Sequence, residues 1–154
     1  LRSWVDIRRN RMSKRVKIFI EGMSRDEEED RIITNAIGEY RLIDGVHILR
    51  YKENDLENNN SSENDKEINT IRISSTYVEM IKSGDNRTKM VFDLYKNTES
   101  VYDTPYGCLQ FQIKTSKMVL EEKQDQIVMH MEYSLSHNDS HISDNRILIK
   151  AKEL

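Results

Sequence analysis

The chain has 154 residues, a single cysteine and a formal charge of −3. That length suits one domain able to bury roughly two-thirds of its unfolded surface, and the lone cysteine excludes an internal disulfide and suits a reducing compartment. Both charge signs are mixed throughout, which gives no footprint for nucleic acid, and no apolar run approaches the roughly 20 residues of a membrane-spanning helix.

In chain order, residues 1–11 stand apart. Arg2, Arg8, Arg9 and Arg11 against Asp6 give four minus one, a local charge of +3. Met12-Ser13-Lys14 reads as a start directly before the first strand. We read 1–11 as an N-terminal extension and 12–154 as a single β-barrel domain; the alternative for 1–11 is a basic arm for an acidic partner, anchored by Trp4. No apolar signal core is seen, so a cytoplasmic location is expected.

Val16, Ile18 and Ile20 alternate with Lys17, Phe19 and Glu21, the period of a half-buried strand that Gly22 should end. Arg25 to Asp30 reads as a solvated charge run. Its consecutive acids lack the spacing and glycine of a calcium loop. Residues 31–43 and 46–52 form a hairpin about Asp44-Gly45, a two-residue turn pair. Val46 and Ile48 fall on one face, and His47, Leu49 and Tyr51 on the other. Residues 53–69, with Asn58-Asn59-Asn60-Ser61-Ser62 at their centre, cannot bury enough apolar surface to offset ordering, and predict a mobile Asn-rich loop.

Ile71 and Ile73 resume the alternation. Residues 75–81 could hold a short helical turn. Gly84-Asp85-Asn86 predicts a turn, after which Met90, Phe92 and Leu94 share a face. Residues 98–104 lead into Thr104-Pro105-Tyr106-Gly107, a type I turn by its chemistry. Leu109, Phe111 and Ile113 leave it as a strand, with a turn expected near Ser116 and another around residues 123–126. Ile127, Met129, Met131, Tyr133 and Leu135 give the clearest period of two in the chain. After an Asn138-Asp139-Ser140 turn, the last strand points Ile147, Ile149 and Ala151 inward. Many short strands at this spacing predict an all-β protein, a single antiparallel up-and-down barrel with little helix, closed because closure removes exposed edges.

The string Tyr102-x-Thr104-Pro105-Tyr106-Gly107-x-Leu109 resembles the signature of the YwiB-like family, small uncharacterised bacterial proteins. Met90-x-Phe92, Thr115, Tyr133-x-Leu135 and the strand from Asn145-x-Ile147 to Lys152 match as well, so the resemblance covers most of residues 16–153. It implies a calycin-like (lipocalin-type) barrel and no established activity.

No catalytic or metal-binding constellation is visible, so no enzyme and no cofactor are expected. His137-x-x-x-His141 spans a probable turn, without a third ligand nearby. Cys108 is read as a small core residue, without a visible activating base. The candidate ligand-binding residues, lining the barrel or its proline corner, are Met80, Met90, Tyr102, Tyr106, Phe111, Met129, Met131 and Tyr133. Methionines adapt to irregular contents. Such an interior is either filled by its own side chains or hollow enough, at about 300 Å³, for an apolar small molecule. The other reading is a protein-interaction module using outward apolar residues such as Phe19, Leu49, Val128 and Leu148. Neither reading involves nucleic acid or membrane, and either a monomer or a homodimer fits.

Overall fold

The computed structural model describes residues 13–25, 31–52, 67–84 and 87–154. Ten strands follow one another: β1 (Lys14–Ser24), β2 (Arg31–Ile43), β3 (Val46–Lys52), β4 (Ile68–Ile73) and β5 (Tyr77–Ser83), then β6 (Thr88–Asp93), β7 (Thr98–Thr104), β8 (Gly107–Glu122), β9 (Gln126–His137) and β10 (Ser140–Glu153). Each pairs antiparallel with its chain neighbours. β10 then pairs with β1, from Val16–Glu153 to Ser24–Asn145, and the barrel closes. There is no helix among the described residues. The expected extension over 1–11, residues 26–30 of the charge run, residues 53–66 of the Asn-rich loop and Asp85-Asn86 lie outside those residues.

Alternation decides what is inside. Val16, Ile18 and Ile20 of β1, Leu49 and Tyr51 of β3, Ile71 and Ile73 of β4, Met129 and Met131 of β9, and Ile147 and Ile149 of β10 are all buried in one core with Tyr40, Val78, Phe92 and Ile113. Gly38, on the same inward face of β2, makes room for a neighbour. A Cβ there would stand 2.3 Å from the Arg50 carbonyl oxygen and 2.9 Å from Tyr51 Cβ. Asp44 and Gly45 both have positive φ, 50° and 80°, the geometry that lets a two-residue turn follow the twist of its strands.

Several local expectations need correcting. β1 does not stop at Gly22 but runs to Ser24, because Gly22 keeps ladder partners on both sides, Ile32 and Ile147. Residues 77–83 are strand, not helical turn, since Val78 and Met80 belong to the barrel wall. No turn interrupts β8 near Ser116. A bulge between Thr115 and Lys117 absorbs the extra residue and leaves Thr115 and Met118 both opposite inward residues of β9. Leu94 lies in the turn beyond β6 rather than on its face. Leu49 points inward and is fully buried, and Val128, although between inward neighbours, is also buried. Cys108 is exposed, not core, because it sits on the outward side of the β7–β8 hairpin's tip.

The up-and-down path gives the barrel two unlike ends. One, the hairpin end, carries the short turns after β2, β4, β6 and β8. The other, the mouth, carries the last residues of β3 and β5, the first of β4 and β6, Pro105-Tyr106 and Asn138-Asp139. One seam of the wall is short. Among the described residues, β6 and β7 pair at Thr88–Tyr102 and Lys89–Val101, near the mouth, where the Asp103 N–H also donates to the Arg87 carbonyl. Farther along, the Thr98 hydroxyl donates to the Val91 carbonyl, a side chain standing where a ladder bond would be.

Candidate functional site

The register lines up one row of inward polar side chains just below the mouth. Tyr51 faces Asn69, Asn69 faces Lys82, Lys82 faces Thr88, and Thr88 faces Tyr102, across five consecutive strands. The next inward row toward the hairpin end is apolar: Leu49, Ile71, Met80 and Met90 are successive partners. Between the two rows lies a cavity of about 250 Å³, completed by Ile20 of β1 and Thr34 of β2. It thus has a polar rim and an apolar floor.

Asn69 is 7% exposed, and its Nδ2 has no hydrogen-bond partner. A buried donor left unmade costs about 1–3 kcal/mol, so this group marks where an acceptor belongs. Lys82 Nζ lies 3.0 Å from Glu67 Oε2. Among the described residues, no carboxylate lines the cavity itself. Farther into the barrel, Ser100 Oγ and Thr115 Oγ1 are also buried without partners. Tyr133 packs edge-on against Phe92, with ring centroids 5.0 Å apart. Burial, with a smaller contribution from Tyr102, pushes its phenol up to about 12.

Met80, Met90 and Tyr102 of the sequence candidates come together on this one cavity. Met129 and Met131 are packed in the solid part of the core. Phe111 lies beside Tyr102 and His137, with ring centroids 6.1 and 5.5 Å away. Tyr106 is 99% exposed at the tip of the proline turn, away from the cavity. The turn is held by Thr104, whose hydroxyl accepts from the Tyr106 N–H and donates to the Gly107 carbonyl. Sequence reasoning missed Asn69, Lys82 and Thr88. Their signal was present as polar residues in phase with an apolar alternation: Asn69 with Ile71 and Ile73, Lys82 with Met80 and Val78.

The hairpin end is sealed differently. Tyr40 and His47 are buried there, Tyr40 Oη lies 2.7 Å from His47 Nδ1, and His47 Nε2 faces Glu122 Oε1 at 3.6 Å. His137 and His141, the turn pair, engage separate partners: the Gln110 carbonyl at 2.7 Å and the Asp144 carboxylate at 3.0 Å. Among the described residues no group of His, Cys, Asp and Glu could hold a metal ion.

A family model described as a domain of unknown function (DUF1934) matches residues 18–149. The chain belongs to this family. The match spans the sheet from β1 to β10, so it covers the whole closed barrel. The crystal structure of the ywiB protein from Bacillus subtilis is similar, with a TM-score of 0.74 over 92% of this chain and 93% of that one, at 14% identity. At that identity the likeness is one of fold. This YwiB-like chain has no match among curated proteins. No helix of the described residues is long and apolar enough to cross a membrane.

Proposed function

We propose that this DUF1934 barrel binds a small amphipathic molecule in the cavity below its mouth. The observation that carries the reading is Asn69 Nδ2, a buried donor without a partner, in the polar rim of a cavity floored by Ile71, Met80 and Met90. Few polar groups over an apolar floor are how small-molecule sites fix orientation. The occupant is therefore not purely apolar; it carries at least one hydrogen-bond acceptor. Mass spectrometry of the native protein tests this. A co-purified small molecule that an Asn69→Leu chain no longer retains supports the reading. A wild-type chain that binds no acceptor-bearing amphiphile from a broad set sinks it.

A second reading rests on the outer face of β8, β9, β10 and β1, where a groove of about 470 Å³ runs over Met23, Val119 and Leu148. It would make the barrel a protein-interaction module. We favour the first reading because charged side chains around this groove already satisfy one another. Arg25 meets Glu132 at 2.7 Å, Lys117 meets Glu132 at 3.6 Å, and Arg31 meets Glu21 at 3.6 Å. Light scattering discriminates: self-association that Val119→Glu abolishes would favour the groove.

A further inference from the structure

We propose that the outer wall formed by β3, β2, β1 and β10 docks a short, acidic, extended segment of another protein. The inference stands apart from the cavity, and it uses none of the residues of the outer groove over Met23, Val119 and Leu148.

Three strands of this wall each carry two cations, two residues apart: Arg15 and Lys17 on β1, Arg50 and Lys52 on β3, Lys150 and Lys152 on β10. Val16, Tyr51 and Ala151 between them are buried, so each pair faces outward. Lys17 and Lys152 are direct cross-strand partners, and like charges placed so destabilise a sheet. Arg15 and Arg50 both oppose Glu39 of β2, one carboxylate between two guanidinium groups. Elsewhere on the barrel, cations meet carboxylates, as in Arg25–Glu132, Arg31–Glu21 and Arg72–Glu79. Among the described residues none of these six enters an ion pair. The wall therefore concentrates positive charge that the rest of the fold does not neutralise.

Charge and shape choose the partner. Six cations less Glu39 leave +5 on this wall, so the rest of the chain, at −3 less +5, carries −8. A long polyanion such as nucleic acid reaches past the wall and meets that acidic remainder. A short segment meets the wall alone, because exposed charges beyond about 8 Å are largely screened at physiological ionic strength. The two cations of each pair stand roughly 7 Å apart along their strand, and an extended peptide repeats the side chains of one side at the same spacing. Acids at alternate positions thus meet both cations. Between Arg15, Arg50 and Lys52 lies a groove of about 410 Å³ over Ile37 and Ile68, room for an apolar side chain of the same segment. A flat anionic bilayer would set its headgroups on the rim and leave that floor unused.

The test uses the whole chain and a dye-labelled nonapeptide with glutamates at alternate positions and one leucine on the same side, read by fluorescence anisotropy at low salt. The peptide should bind saturably and weaken as salt is raised. Lys152→Glu should weaken it about fivefold or more. The same variant should raise the urea midpoint, since it makes the pairing with Lys17 attractive. Lys89→Glu, the same change of charge on exposed β6, should leave the affinity unchanged. A single-stranded oligonucleotide of equal charge, or vesicles containing anionic phospholipid, binding more tightly than the peptide would overturn the acidic segment as the partner. Equal losses in the two variants, or no saturable binding of the peptide, would overturn the docking face itself.

Discussion

Tyr40 and His47 hold each other inside the hairpin end of the barrel, hydroxyl to Nδ1 at 2.7 Å, across the tight Asp44-Gly45 turn. On its other side, His47 Nε2 faces Glu122 Oε1 at 3.6 Å. Tyr40→Phe keeps the ring volume and removes the bond. We expect a loss of about 0.5–1.5 kcal/mol in stability, the net contribution of one hydrogen bond. Urea unfolding at neutral pH measures it. A loss below about 0.5 kcal/mol would mean that the pair is dispensable.

Tyr133 should make the barrel sensitive to alkali. Its phenol is held up to about 12 by burial, against about 10 in an unfolded chain. Between those values the unfolded chain gives up a proton that the folded barrel keeps. Stability therefore falls as pH rises from about 10 to 12, by roughly 2 to 3 kcal/mol. Tyr133→Phe removes this component. Urea midpoints at pH 9 and 11.5 should converge in the variant more than in the parent chain, and equal slopes would contradict the assignment.

Asp144 has the opposite sign. Hydrogen bonds from His141 and Ser134 hold its carboxyl below the usual carboxylate range. The depressed group contributes stability above its unfolded value, near pH 4, and loses it as pH falls through the folded one. NMR titration of Asp144 should give a midpoint below that of a free aspartate, and His141→Ala should raise it. An unchanged midpoint in that variant would exclude the histidine as the main cause.

Cys108 is exposed yet should react slowly. Asp103, its cross-strand partner, bonds the thiol and pushes its ionisation up, so little thiolate forms near neutrality. Asp103→Asn should speed alkylation by iodoacetamide at pH 8 several-fold. No acceleration would show that Asp103 does not govern the thiol.

The closed antiparallel barrel was legible because alternation is strong where it matters. Ile127 to Leu135, Val16 to Ile20 and the Asp44-Gly45 hairpin each specify strand, face and register locally. The cavity was half legible. Met80, Met90 and Tyr102 were named as lining, but Asn69, Lys82 and Thr88 were passed over. Whether five polar residues on five strands form one row depends on the pairing register, which no single strand contains. Cys108, read as core, is misplaced for a related reason. The proline turn points its tip outward, and turn chemistry fixes the bend but not which side of the wall its side chains take.

The abbreviated pairing of β6 with β7 has its own consequence. Every other pair of adjacent strands shares a longer hydrogen-bonded ladder. A closed ring of staves opens where two of them are least fastened. Met90, on the less fastened stave, lines the cavity, so the amides of this flank, and not those of the long ladders from β8 to β1, should exchange their hydrogens first.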